Sequence, residues 1–331
     1  MDPISNINRR TLLGAAAAVT TATTITASAV AQTSAAELKG KSILITGSSS
    51  GFGYAGALHY ARAGAKVIAS MRNLPRAEAD KLKAEGKKEG LDITVIEIDV
   101  TSDEQVANGV AEAERVAGGA LDALINNAGI GLTGPVEMQD MAATQLMFDT
   151  NVYGCHRMAR AVLPAMRKAK RGQIFNISSQ LGRVIVPGGG HYSATKFALE
   201  AMSEQMAYEL APHGVEVTII QPGGYPTDVW RNRNRYTSEL LARADAERIA
   251  AYAMFRSRMG TEDGSGRSAD IFDVPRAIAE IMAMPAGSRP LRRAVHPGAK
   301  PQEAINKVSA ETQLAWLGNT PYGPLIKAVL D

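Results

Sequence analysis

Cysteine is nearly absent from this chain. Cys155 is the only one in 331 residues, so no internal disulfide can form. It falls in an apparently helical stretch and reads as a small buried hydrophobe. A strong charge imbalance is also missing. The formal net charge is +3, of which residues 1–31 supply +1 through Arg9, Arg10 and Asp2, leaving +2 for the rest. With so little charge, and no basic stripe interleaved with aromatics, nothing favours a nucleic-acid partner. A long, strongly apolar run is lacking too. The Ala/Val/Thr-rich stretch ending at Val30 falls short of the about 20 strongly apolar residues that a stable membrane span needs. What remains is 21% charged and 45% hydrophobic, ordinary for a soluble globular protein and long enough for one large domain or two modest ones.

The amino end differs from everything after it. Asn8-Arg9-Arg10-Thr11-Leu12-Leu13 is a twin-arginine pair followed by leucines, and Ala29-Val30-Ala31 fits a small-residue cleavage site. That order predicts an export signal over 1–31, a mature chain beginning near Gln32 and a periplasmic location, with a cytoplasmic location as the alternative. The twin-arginine route carries proteins already folded.

The centre of the chain is KSILITGSSSGFG, residues 41–53. A short apolar run suited to a buried strand passes through Gly47, Gly51 and Gly53 into a helical pattern over 54–63. A strand turning through glycines into a helix gathers free backbone N–H groups and a positive dipole end at one point, which suits a pyrophosphate.

The rest of the chain alternates. Strands are predicted at 65–70, 93–98, 121–125, 172–177 and 215–220, with a possible seventh at 291–296. Helices are predicted over 74–90, from Thr101 as N-cap with Glu104 in a capping box to 116, over 138–168, over 192–213 and over 273–284. This rhythm indicates parallel β-α-β units with helices on both faces. One domain is read from 38 to 297, followed by a tail, 298–331, with a helix near 302–316. Residues 224–270, which contain Arg231-Asn-Arg-Asn-Arg235, are too long for an ordinary connection. They read as a lid over substrate, or as a surface excursion with a solvated arginine face.

Three segments carry the chemistry. Asn176-Ile-Ser-Ser179 ends the fifth strand, and Tyr192-Ser-Ala-Thr-Lys196 opens the next helix with the tyrosine and lysine one turn apart. A phenol is a poor proton donor or acceptor near neutrality, and a cation held close favours its ionised form. A hydroxyl such as that of Ser179 can hold a carbonyl oxygen beside it. The set can move a proton at an oxygen while hydride moves at the attached carbon.

With these pieces the chain resembles the short-chain dehydrogenase/reductase family. The matching motifs are TGSSSGFG at 46–53, Asp99-Val100, NNAG at 126–129, Asn151, NISS at 176–179, YSATK at 192–196, and Pro222-Gly223 with Thr227, in the family's order over about 40–297. The resemblance implies a doubly wound, parallel, seven-stranded Rossmann-type α/β sheet in a single domain with a helical lid. It implies Tyr192 as acid-base, Lys196 as its partner and a ribose ligand, Ser179 as orienter of the substrate oxygen, and Asn151 in a proton relay. Ser179 is preferred to Ser178 because the family pattern puts the active serine three residues before a glycine, here Gly182. The pyrophosphate would be lined by Gly47, Ser49, Ser50, Gly51, Phe52 and Gly53. Asp99 and Val100 would meet the adenine, Asn127, Ala128 and Gly129 the adenosine ribose, and Pro222, Gly223 and Thr227 the nicotinamide end. No metal is assigned.

NAD-preferring members carry an acidic residue at the end of the second strand, where it binds the ribose 2′-hydroxyl. Here Met71-Arg72 stands there, so NADP(H) is expected over NAD(H). Family analogy with the retinol- and hydroxysteroid-dehydrogenase-like branch suggests a moderately bulky apolar carbonyl or alcohol substrate, and pairing into a homodimer or homotetramer through the helices near 138–168 and 192–212. The alternative of another class is a non-catalytic nucleotide sensor on the same fold; such relatives usually lack the tyrosine or lysine that this chain keeps. An epimerase or dehydratase of the extended branch is disfavoured, since those generally carry G-x-x-G-x-x-G.

Overall fold

The computed structural model describes residues 37–330; the expected export signal lies outside the described residues. In chain order the elements are β1 Ser42–Ile45, α1 Gly51–Arg62, β2 Lys66–Met71, α2 Ala77–Glu89, β3 Ile93–Glu97, α3 Asp103–Ala117 and β4 Ala123–Asn126. Then come α4 Met141–Phe148, α5 Gly154–Ala169, β5 Gly172–Ile177, α6 His191–Leu210 and β6 Val215–Pro222. The remainder is α7 Val229–Leu241, α8 Ala246–Ala251, α9 Ala253–Arg256, α10 Asp273–Ala283, β7 Arg292–Val295, α11 Gln302–Leu317 and α12 Gly323–Leu330.

All seven strands are parallel, in the order β3-β2-β1-β4-β5-β6-β7. The order reverses between β1 and β4, and the crevice outside the carboxyl ends of strands at such a reversal is where ligands bind in open α/β sheets. Burial on both faces explains the continuous apolar runs. In β1, Ile43 and Ile45 enter the core shared with α1, α2 and α10, while Leu44 enters the core shared with α3, α5 and α6. Among the described residues, no helix is long and apolar enough to cross a membrane.

The structure departs from the sequence expectations in three places. The N-cap of α3 is Ser102, whose hydroxyl accepts from Gln105 N at 3.2 Å; Thr101 instead donates its hydroxyl to Asp99 Oδ1 at 2.7 Å. The single helix expected over 138–168 is interrupted by a π-helical turn at Asp149–Tyr153. Asn151 within it is fully buried, and its amide accepts from Ile130 N at 2.8 Å and donates to Ile130 O at 2.9 Å. The widened turn aims this side chain sideways into the fold, a distortion common at functional sites. Finally, the segment after 298 holds more than the one helix expected near 302–316, which is present as α11. The segment forms α11 and α12 within the same compact unit as the sheet, with Ile326 buried and α12 against α6.

Candidate active site

The glycine turn is built for close approach. Gly47 has φ +69°, in the left-handed region that favours glycine. A Cβ on Gly53 would stand 2.6 Å from Asn127 Nδ2 and 2.9 Å from the Gly47 carbonyl carbon. α1 starts at Gly51, so Gly51, Phe52 and Gly53 form its first turn, whose N–H groups have no intrahelical partners. Asn127 fixes the turn: its Nδ2 donates to Thr46 O at 2.8 Å and Gly47 O at 3.2 Å, while Thr46 Oγ1 accepts from Asn127 N and Ala128 N. Thr227 lies over Gly51, its Cβ 3.4 Å from where a Gly51 Cβ would be.

A tier of buried amides positions the reactive side. Asn126 Nδ2 donates to Asn176 Oδ1 at 2.8 Å, and Asn176 Nδ2 donates to Ser203 Oγ at 2.8 Å, tying β4 to β5 and β5 to α6. Above this tier, Lys196 is 6% exposed and donates to Ile177 O at 2.8 Å. Its Nζ lies 5.7 Å from the centroid of the Tyr192 ring. Asn151 Nδ2 also donates to Thr195 Oγ1, at 3.1 Å, and both Asn151 Oδ1 and Lys196 Nζ lie within 3.9 Å of the Cβ position of Gly129. Ser179 lies at the mouth of β5, where its hydroxyl accepts from Leu181 N at 3.0 Å. Neighbouring Ser178 is buried with its hydroxyl unpartnered.

Tyr192, Lys196 and Ser179 share one cleft of about 1560 Å³ with the glycine turn, Arg72, Asp99, Val100, Asn127, Ala128, Gly129, Pro222, Gly223 and Thr227. Gly53 and Asn151 are the two expected site residues that stand behind its wall. A dinucleotide fits this arrangement: glycines where side chains would collide, a helix N-terminus aimed at the floor, and room for a second small molecule. The lining includes Arg72, Arg76, Lys196, Arg233, Arg235, Arg258 and Arg267 against only Asp99 and Glu262, so the cleft suits anionic ligands.

Arg72 Nη2 donates to Tyr236 OH at 3.0 Å, which joins the end of β2 to α7. Tyr236, Arg76, and a cluster around Trp230 were not anticipated from the sequence; Arg231-Asn-Arg-Asn-Arg235 reads equally well as a solvated face, and in fact only Arg233 of its three arginines is largely covered. His191 is structural: its Nδ1 lies 2.9 Å from Thr144 Oγ1. Cys155 is buried, its thiol pushed up to about 11 by burial, and it takes no part. Among the described residues, no three His, Cys, Asp or Glu side chains are grouped to hold a metal ion.

Fold and cleft together define a doubly wound α/β protein with a dinucleotide-sized site at its switch point. The family model for "short chain dehydrogenase" matches residues 41–237. The chain belongs to that family. It is 38% identical over 191 residues to retinol dehydrogenase 8 of Bos taurus, an alignment covering 57% of this chain and 60% of the relative's length. Among solved structures it is similar to a short-chain dehydrogenase from Streptomyces avermitilis, with TM-score 0.64 and 29% identity over 84% of this chain and 97% of the other. A metagenomic short-chain oxidoreductase solved with NADP gives TM-score 0.62 and 25% identity over 80% and 100%. A nicotinamide cofactor is the ligand these findings support.

Proposed function

We propose that this protein is an NADP(H)-dependent oxidoreductase that interconverts a carbonyl and an alcohol. The observation that carries the reading is the meeting of Tyr192, Lys196 and Ser179 with the glycine turn in one cleft. The nicotinamide, when bound, supplies or takes up the hydride at the substrate carbon. The chain's own part is proton and orientation chemistry. Ser179 holds the substrate oxygen by a hydrogen bond. Tyr192 gives that oxygen its proton in reduction and removes it in oxidation. The Lys196 ammonium offsets the negative charge that develops on the phenolic oxygen. Asn151 stands next to Lys196 across Gly129, where it can hold a water in a proton relay reaching Lys196. The α1 N-terminus takes the pyrophosphate, and the apolar wall of Val186, Met254, Phe255 and Met259 accommodates a bulky apolar substrate body.

The direct test is NADPH oxidation with a panel of aldehydes and ketones. Turnover is expected; tight cofactor binding with no turnover on any of them would favour a nucleotide sensor instead.

NADP(H) over NAD(H) rests on Arg72. It lines the cleft at the end of β2, with Arg76 nearby and its guanidinium steadied by Tyr236. An arginine there can pair with a 2′-phosphate that an acidic residue would repel. Arg72→Asp is expected to shift the NADPH-to-NADH ratio of kcat/KM by at least about a hundredfold toward NADH, the scale of exchanging a charge-assisted pair for a repulsion. An unchanged ratio would remove Arg72 from the assignment.

A further inference from the structure

One cluster in the cleft has no part in the mechanism above. Trp230, in the first turn of α7, donates its indole N–H to Tyr225 O at 2.7 Å. The guanidinium carbons of Arg233 and Arg267 stand 4.4 and 3.8 Å from its ring centroid. Both guanidinium groups bond the same carboxylate, that of Glu262, with Arg233 at 2.7 Å. Burial pushes Glu262 up, but the two arginines outweigh it and hold it below the usual carboxylate range. Two cations therefore share one anion, and an excess positive charge faces the cleft. A latch between α7 and the 260–266 turn would need only one arginine. Arg233 Nε is moreover buried without a partner, a costly state for a charged donor.

The cluster is next to the reacting groups. Arg233 Cδ and Tyr192 Cδ2 both lie within 3.6 Å of the Cβ position of Gly131. Arg267 Nε lies 2.8 Å from the Cβ position of Gly224, just past the end of β6. The α1 N-terminus already serves the pyrophosphate, and Arg72 and Arg76 follow the carboxyl end of β2, which lies across the β1–β4 switch point from β6. We propose that Arg233 and Arg267, flattened against Trp230, bind a carboxylate or phosphate carried by the substrate, so that the substrate is an acidic amphiphile: an anionic group, a carbonyl or alcohol within reach of Tyr192, and an apolar body along Met254, Phe255 and Met259. This rests on the dehydrogenase reading and deepens it. The guanidinium fork matches such anions bidentately, and stacking on an indole fixes its plane beforehand.

The test compares a medium-chain oxo-carboxylate with its methyl ester, using the full chain saturated with NADPH. The wild type is expected to favour the acid by at least about tenfold in kcat/KM, the scale of one charge-assisted hydrogen bond. Arg233→Leu should bring that ratio close to one, and Arg233→Lys should keep part of it. Equal kcat/KM for acid and ester in the wild type overturns the proposal. So does an Arg233→Leu loss that falls equally on both compounds and on cofactor affinity, which would assign the cluster to the cofactor's own phosphates. Binding is read separately from turnover by Trp230 fluorescence in a Trp316→Phe background. Quenching by the acid and not by the ester, without turnover of either, sustains the anion site while removing the dehydrogenase reading; equal or absent quenching by both overturns the anion site.

Discussion

Tyr192→Phe is expected to lower kcat by about a hundred- to ten-thousand-fold, the range that a positioned general acid or base contributes. The substitution deletes one oxygen from a side chain that lines the cleft and leaves its ring packed against the apolar cluster of Ile130, Leu132, Ala143, Met147, Tyr236 and Leu240. Folding and cofactor binding should therefore survive. NADPH affinity, read by quenching or calorimetry, should stay within a few-fold of the wild type, while single-turnover hydride transfer collapses. Lys196→Met should behave differently. It removes the charge that offsets the developing phenolate, and it also removes a donor to Ile177 O and the ribose contact implied by the family resemblance, so cofactor affinity should fall with kcat. The two variants then separate a group that touches the reacting oxygen from one that also holds the cofactor. A Tyr192→Phe enzyme that keeps more than about a tenth of its kcat would contradict the proton-transfer role.

Much of this site was legible in the sequence because its determinants are local. A strand running into Gly47, Gly51 and Gly53 announces its own geometry, and the turn separating Tyr192 from Lys196 is a property of any helix. Burial on both faces of a parallel sheet made the strands into apolar runs that could be bounded to within a residue or two at β1 and β5. Other features depend on partners far away in the chain. The π-helical turn at Asp149–Tyr153 is invisible to periodicity, since the apolar spacing continues through it; what holds it is a pair of hydrogen bonds to Ile130. Thr101 and Ser102 are both capping residue types, with serine the better, and Asp99 takes the threonine hydroxyl, leaving Ser102 to cap. Arg233 was indistinguishable from its solvated neighbours until Glu262 and Trp230 were found opposite it. The carboxyl-terminal residues had no pattern strong enough to announce that α11 and α12 close over α6.

That closure contains the largest expected effect on stability. Arg292, at the start of β7, has a side chain only 7% exposed and bonds Glu200 at 2.8 Å as well as Glu204; both carboxylates project from α6, beginning one turn beyond Lys196. Glu200 also accepts from Gln221 at 2.9 Å, Gln221 Oε1 accepts from Asn306 of α11 at 2.7 Å, and Glu204 accepts from Tyr208 at 2.5 Å and from Gln313 of α11. The arginine thus bonds both carboxylates at the centre of a buried network that joins α6, β6, β7 and α11 behind the active site, with Arg183 at its edge donating to Asn306 at 2.9 Å. Arg292→Met keeps the apolar stem and strands two buried carboxylates, so a loss of about 3 to 5 kcal/mol is expected. Its pH dependence has a definite sign. In the wild type, burial raises the Glu204 carboxyl, but Arg292 and the hydrogen bonds from Tyr208 and Gln313 outweigh it and hold Glu204 below its usual range. That contribution is present above the unfolded carboxylate range and is lost as pH falls through the folded value, so wild-type stability declines in acid. Without Arg292 the burial cost loses its main counterweight and only the Tyr208 and Gln313 hydrogen bonds still oppose it; protonation relieves the cost, and the gap between variant and wild type should narrow from pH 7.5 to pH 5. Denaturant melts at the two pH values measure this directly. A gap that is constant with pH would mean that Arg292 matters for its packing and not for its charge. If the charge is what matters, Arg292→Met combined with Glu200→Gln and Glu204→Gln should recover much of the loss, because neither carboxylate would then be left charged and buried without its arginine.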